Sequence, residues 1–335
     1  MPTGHPTVDH TAALRKAWHP VALSTEVGAD PVQVWLFGEP WALLRDDHGV
    51  QAFADRCPHR LAPITAGTRR DDGTLQCGYH GWRFDRSGAC TLIPALGAGA
   101  PIPPRARLGL PGGVAERGGL VWLAPDVPVA ALVEVAPPAE AVTGFLAPAR
   151  AAVDPGEMID NFLDAAHFPF VHAGTFGTDA SDQVDEYVLA PRADGFTAVT
   201  EHDFANHEDP GVAAGVRPLV QRRRMTYTYS PPFSATLLLE YVDAQGANLI
   251  LFALQPERAD STRVYTVLYR NDLPAEAMAG ALEFEQRVLD EDLALQSRMG
   301  GVTLPLDLTV EVHTKADRVT IEMRRSLAAF LRRAA

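Results

Sequence analysis

At 335 residues, 47% of them hydrophobic and 21% charged, the chain has the make-up of an ordinary globular protein and the length for two domains. A formal net charge of −13 leaves no basic stripe to track phosphates, which excludes nucleic acid as a partner; the acidic surface serves solubility first and steering of a basic redox partner second. No apolar run is long enough to span a bilayer, the first twenty residues hold no apolar signal core, and only three cysteines occur, so the expected location is a reducing cytoplasm.

In chain order, residues 17–125 read as short strands separated by turns. Residues 32–37 and 118–123 are the clearest strands, and Asp71-Asp72-Gly73 and Asp85-Arg86-Ser87-Gly88 are turn signals. Residues 126–150, with Pro128, Pro137, Pro138 and Pro148 among alanines, read as a connector. Strands are expected at 196–200, 225–229, 235–242, 248–254 and 264–269, with residues 243–247 as a hairpin loop. Helices follow at about 274–298 and 316–333. Strands followed by helices define an α+β fold. A small all-β domain (17–125) precedes a domain at 151–335 in which a helix lies on an antiparallel sheet.

The first domain carries Cys57-Pro58-His59 and, 17 residues later, Cys77-Gly78-Tyr79-His80. Each loop thus offers one thiolate and one imidazole. Structural zinc would group its ligands as Cys-x2-4-Cys and His-x3-5-His. Alternating Cys and His is the ligand set of a Rieske [2Fe–2S] centre, with a potential of roughly −150 to +300 mV. Pro58 stiffens the first loop, while Gly78 and Gly81 allow close approach to the cluster. Cys90, left over, reads as a small core residue.

A second metal site is expected in residues 157–172, which offer Asn161, Asp164, His167 and His172. Asp164 and His167, three apart, would share a helical face. His167 and His172, five apart, would not, but Pro169 between them should break the helix and let His172 turn back. Two imidazoles and one further carboxylate make a facial triad with positions open for O₂ on Fe(II). The carboxylate is expected from Asp290-Glu291-Asp292, with Asp292 first and Asp290 in reserve; the other carboxylates of that run read as solvated. Phe162, Phe168 and Phe170 with the strands at 235–242 and 248–254 would line a largely apolar cavity or form core. Arg222, Arg223 and Arg224 read as a solvated strand end, with contact to an anionic substrate as the alternative. His202 and His207 read as surface residues.

With both motifs in order over nearly the whole chain, the sequence resembles the oxygenase components of Rieske non-heme iron oxygenases. The segment 161–172 and the tail from Glu311-Val312-His313 through Asp317-Arg318 to Arg324-Arg325 look most like the homotrimeric branch that holds vanillate and dicamba demethylases and the saxitoxin-pathway hydroxylases. The resemblance implies a helix-grip-like catalytic domain. It assigns Cys57, His59, Cys77 and His80 to the cluster, His167, His172 and Asp292 to the iron, and Asn161 to its vicinity. It also implies that Asp164 bridges a Rieske histidine of one subunit and His167 of its neighbour in a head-to-tail homotrimer. NAD(P)H would supply electrons through a separate ferredoxin or flavin reductase. C–H hydroxylation by a monooxygenase is the expected outcome, N- or O-demethylation the alternative, and electron transfer without oxygenation the reading from another class.

Overall fold

The computed structural model describes residues 10–177, 182–205, 217–241, 246–299 and 303–335, together with His207, Val212 and Gly215. The chain divides into two compact units: Arg15–Ala130, and Ala131–Ala335 joined by the start of the chain up to Leu14. Among the described residues no helix is long and apolar enough to cross a membrane.

The Arg15–Ala130 unit is all-β. Its strands are β1 (His19–Leu23), β2 (Val32–Leu36), β3 (Glu39–Asp46), β4 (Gly49–Ala54), β5 (Thr68–Arg69), β6 (Leu75–Gln76), β7 (Arg83–Phe84), β8 (Cys90–Leu92), β9 (Gly113–Arg117) and β10 (Leu120–Ala124). They form three antiparallel sheets ordered β1-β10-β9, β2-β3-β4 and β5-β6-β7-β8. One motif loop leaves β4 and the other joins β6 to β7. The residues at their roots are apolar: Cys57, Cys77 and Cys90 pack in one core with Leu44, Phe53, Ile64, Leu75, Phe84 and Leu108. Cys90 is buried and its thiol is pushed up by that burial, as a core residue should be.

The second unit is built on one eight-stranded antiparallel sheet. Its strands are β11 (Val142–Phe145), β12 (Ala149–Ala151), β13 (Val188–Pro191), β14 (Phe196–Ala205), β15 (Val220–Ser230), β16 (Ser234–Tyr241), β17 (Ala247–Arg258) and β18 (Ser261–Arg270). The order is β11-β18-β17-β16-β15-β14-β13, with β12 also on β18. Two strands, β11 and β12, therefore lie within the segment 126–150 and its edge. Of the expected hairpin loop, residues 243–245 lie outside the described residues, but β16 and β17 pair antiparallel as a hairpin requires.

Strand β15 alternates strictly. Gln221, Arg223, Met225, Tyr227 and Tyr229 are buried, while Val220, Arg222 and Arg224 are exposed. That period of two defines an inner face and an outer face of the sheet. Three helices accompany the sheet: Pro155–Leu163, Met278–Gln296 and the C-terminal Arg318–Ala334. Pro155–Leu163 starts where the Asp154 carboxylate accepts the Gly156 N–H at 2.7 Å and Pro155 fills the first turn. Met278–Gln296 closes on β11 at Gly144, where a Cβ would come within 2.7 Å of Met278 Sδ.

One local expectation is corrected. Asp164 and His167 do not share a helical face, because the Pro155–Leu163 helix ends before them. Asp164 is extended (φ −88°, ψ 132°) and its Oδ1 accepts the Ala166 N–H at 3.0 Å. A short polar side chain bonding its own backbone two residues on offers the chain an alternative to the helical ladder. Pro169 then sits in the first turn of a new helical turn, Phe168–Val171, instead of breaking an old one.

Candidate metal centres and the cavity beside them

The two motif loops of the first unit share one backbone pattern. The Cys57 N–H donates to Ala62 O (2.8 Å) and the Leu61 N–H to Cys57 O (2.8 Å); the Cys77 N–H donates to Trp82 O (2.8 Å) and the Gly81 N–H to Cys77 O (3.0 Å). The residue four past each cysteine takes positive φ, 58° at Leu61 and 70° at Gly81. Gly78 lies against the other loop's stem: a Cβ there would fall 2.3 Å from Ala66 O. The first loop is pinned from below by buried Asp55, whose carboxylate accepts Thr65 N (2.9 Å), Thr65 Oγ1 (2.7 Å) and Gln33 Nε2 (2.5 Å).

These loops sort four candidate ligands by element. The two thiols are buried and interact with each other. Burial first, then the Cys77 thiol, push the Cys57 thiol up to about 11 against the pull of the His59 and Arg60 backbone N–H groups. The His59 and His80 rings meet edge-on with centroids 4.4 Å apart, and His59 stacks on Trp82 at 4.7 Å. His59 Nδ1 is buried without a hydrogen-bond partner. A thiol as reluctant to ionise as that of Cys57 becomes a thiolate only on a metal, and an orphaned imidazole nitrogen is a ligand without its ion. The set fits a cluster held by two sulfurs and two nitrogens.

In the second unit, three donor atoms converge. His167 Nε2 is 3.1 Å from His172 Nε2, and Asp292 Oδ1 is 3.5 Å from the first and 3.4 Å from the second. Among the described residues these are the only three His, Cys, Asp or Glu side chains grouped closely enough to hold one ion. The opposite ring nitrogens decide what the triangle can bind. His167 Nδ1 lies 3.1 Å from Asp164 Oδ2, and His172 Nδ1 lies 2.9 Å from Glu291 Oε2. An ionised carboxylate only accepts, so both Nδ1 atoms carry the proton and both Nε2 atoms present lone pairs. Two lone pairs and a carboxylate oxygen facing one another repel unless a cation lies between them. Edges of 3.1–3.5 Å suit donors held at roughly 2.1 Å from one first-row ion. The residues therefore fit a non-heme iron.

Supporting contacts fix each donor. Asn161 Nδ2 donates to Asp292 Oδ1 at 3.2 Å, and Thr175 Oγ1 donates to Glu291 Oε2 at 2.8 Å. Burial pushes the Asp292 carboxyl up, against the pull of His172, His167 and Asn161. Burial also pushes on Asp164, but its hydrogen bonds from His167 and Ala166 outweigh it and hold that carboxyl below the usual range. Asp292 reaches the site because Glu285, Val288 and Asp292 follow one face of the Met278–Gln296 helix at three- and four-residue spacing. Asp290 points elsewhere and accepts Gln286 Nε2 at 3.0 Å on the exposed side, so the reserve carboxylate is not part of the site.

Glu291 is the residue that sequence reasoning missed. It was expected on a solvated face, yet it orients His172 from behind and lies so close to Gly174 that a Cβ there would come within 2.5 Å of its Oε1. Helical spacing puts Glu291 and Asp292 both near the face that carries Val288, but that alone does not separate an orienting carboxylate from a solvated one. The sequence also misplaced Arg223 and His202. Arg223 is buried and His202 is half-buried, with Arg223 Nη2 donating to His202 Nε2 at 3.0 Å.

A cavity of about 280 Å³ opens beside the triad, bounded by its three donors and by an apolar wall from β15, β16, β17 and the Met278–Gln296 helix. Phe162 stacks on Phe252 at 4.4 Å with the rings 2° from parallel, which sets one flat side. Phe162 and Phe168 line the cavity as expected; Phe170 does not and is 72% exposed.

Comparison with known proteins agrees with this geometry. Residues 17–108 match the Rieske [2Fe-2S] domain and residues 152–333 the vanillate O-demethylase oxygenase C-terminal domain. The chain is 29% identical over 348 residues to methylxanthine N3-demethylase NdmB of Pseudomonas putida, covering 96% of this chain and 90% of that protein. It is 38% identical over 171 residues to the chloroplastic chlorophyllide a oxygenase of Chlamydomonas reinhardtii, but spans only 25% of that longer protein. The solved structure of Pseudomonas putida NdmA with caffeine superimposes with a TM-score of 0.80 at 24% identity, covering 97% of this chain and 96% of that one, and so shares the fold. A Rieske domain followed by a vanillate-demethylase-type domain places the chain in the Rieske non-heme iron oxygenases, oxidoreductases that act with O₂.

Proposed function

We propose that this chain is a monooxygenase that hydroxylates a methyl group carried on nitrogen or oxygen of a small aromatic molecule, releasing it as formaldehyde. The observation that carries the reading is the triangle of His167, His172 and Asp292 donors in the wall of an apolar cavity. The demethylase relatives favour this outcome over hydroxylation with the carbon retained, which the sequence alone put first. The balance is one methylated substrate, one O₂, two electrons and two protons in; demethylated product, formaldehyde and water out.

Residues 17–125 would carry the cluster on Cys57, His59, Cys77 and His80, residues 126–150 the connection, and residues 151–335 the iron on His167, His172 and Asp292. When bound, the cluster supplies single electrons and the iron activates O₂. The protein's own part is positional. Asp164 and Glu291 keep both imidazoles in the Nδ1–H tautomer, and Asn161 holds Asp292 against rotation. The flat aromatic side at Phe162 aligns a ring, and the apolar wall excludes bulk water.

Asp164 would also bridge to a Rieske imidazole of the next subunit in a homotrimer. Its side chain stays 25% exposed after bonding His167, which leaves it accessible to a second imidazole. A separate NAD(P)H-dependent reductase would feed the cluster.

The test is turnover with a surrogate reductase on methoxy- and N-methyl-arenes, scoring formaldehyde against NADH oxidised. Stoichiometric formaldehyde is expected; hydroxylated product with the methyl carbon retained would overturn demethylation. A purely electron-carrying protein would oxidise NADH through an external acceptor and oxygenate nothing.

A further inference from the structure

The cavity holds a cation that no described residue neutralises. Arg223 belongs to the buried row of β15 and is 7% exposed. Its flanking arginines sit on the outer face and are paired, Arg222 with Asp203 and Arg224 with Glu201. Arg270, the other arginine of the cavity wall, is held by both oxygens of Asp272. Arg223 makes no ion pair among the described residues. Its Nη2 donates to His202 Nε2 at 3.0 Å and lies 3.6 Å from Met225 Sδ, and its guanidinium carbon lies 3.5 Å from the Phe204 ring centroid. Its Nε is buried without a hydrogen-bond partner.

His202 does not supply the missing charge. An imidazole nitrogen that accepts from a guanidinium is unprotonated, so His202 is neutral here, in keeping with burial and Arg223 together pulling it down to about 4. Burial likewise lowers the Arg223 guanidinium, against the pull of the Tyr241 phenol, yet arginine stays charged in proteins. A fixed cation kept from water, with an N–H donor unused and bordering an apolar cavity, is a counter-ion site. The planar fork of guanidinium matches a planar or trigonal oxyanion better than any neutral group.

We propose that the substrate is an aromatic anion, a ring bearing a carboxylate or sulfonate, and that Arg223 grips the anionic group while the ring lies along Phe162. The inference rests on the cavity being the substrate pocket of the proposed demethylase. It makes Arg223 the specificity-determining residue, and it explains why an inward-facing position of β15 carries an arginine.

The test is calorimetric binding to the oxidised protein with its metals, without turnover. The probes are the isomeric methoxybenzoates and methoxybenzenesulfonates, each against its neutral amide. Wild-type protein is expected to bind at least one acid about tenfold or more tightly than its amide. Arg223→Gln should abolish that preference with the cluster spectrum unchanged, Arg223→Lys should retain part of it, and Arg222→Gln on the outer face should leave it intact. A wild-type protein that favours no anion over its amide overturns the proposal, as does an Arg223→Gln variant that keeps the wild-type ratio. Acid-selective binding without formaldehyde release would leave this inference standing and remove demethylation. Formaldehyde from acid and amide alike would do the reverse.

Discussion

Glu291 offers the sharpest test of how the site is held. Its Oε2 accepts from His172 Nδ1 at 2.9 Å and from Thr175 Oγ1 at 2.8 Å, so one carboxylate oxygen fixes both the ring's tautomer and its own position. Glu291→Gln keeps the length and an acceptor but loses the charge. Charge-assisted hydrogen bonds are roughly twice as strong as neutral ones, so the loss should be about 1 kcal/mol, or about fivefold in metal affinity. Glu291→Ala frees His172 Nδ1 entirely. Removing such a partner weakens metal binding by about 10- to 100-fold, or about 1.4 to 2.7 kcal/mol. Gly174→Ala should act as a milder form of the same lesion, because its Cβ would displace Glu291 Oε1 from 2.5 Å away. The assay is anaerobic competition for Fe(II) or Co(II) against a chromophoric chelator, with the visible spectrum of the cluster as the control for folding. Wild-type affinity in Glu291→Ala would refute the reasoning, because His172 would then need no partner to present its lone pair.

Two further outcomes follow from features away from the iron. Glu157 is buried with an unpartnered Oε1 beside Asp160 and Glu311, and burial followed by those carboxylates pushes it up to about 7 from an ordinary 4.5. A raised folded value means the folded chain holds the proton: the stabilisation is complete below about pH 4.5 and is lost as pH rises through 7. Glu157→Gln should therefore match wild type at pH 5 within about 1 kcal/mol and exceed it by about 3 kcal/mol at pH 8 in chemical denaturation; a difference independent of pH would contradict this. Gly78→Ala places a Cβ 2.3 Å from Ala66 O, which pushes the two motif loops apart, so the variant should purify without the cluster's visible absorption; a wild-type spectrum would count against the loop geometry described above.

The candidate ligand sets were legible in the sequence because metal chemistry restricts residue type and spacing together. Cys57, His59, Cys77 and His80 could be read from two short loops, and His167 with His172 from one segment. Asp292 was legible because the run Asp290-Glu291-Asp292 lies on a helix and only one face can turn inward. Glu291 was not, since its partner His172 lies 119 positions away and no local pattern distinguishes an orienting carboxylate from a solvated one. Arg223 was hidden in three consecutive arginines, whose composition reads as surface. What reveals it is the alternation through Gln221, Met225 and Tyr227, which assigns the middle arginine to the inner face. The break at Asp164 was read as a Pro169 effect because proline is the stronger sequence signal, whereas the aspartate's own bond to Ala166 ends the helix earlier.

The central claim is that one chain carries a two-iron cluster on its first unit and a separate iron on His167, His172 and Asp292. Iron and acid-labile sulfide per chain, measured on wild type and on His167→Ala after anaerobic reconstitution, test it most directly. The account predicts three irons and two sulfides in wild type, and two of each in the variant with an unchanged cluster spectrum. Two irons and two sulfides in both proteins would contradict it.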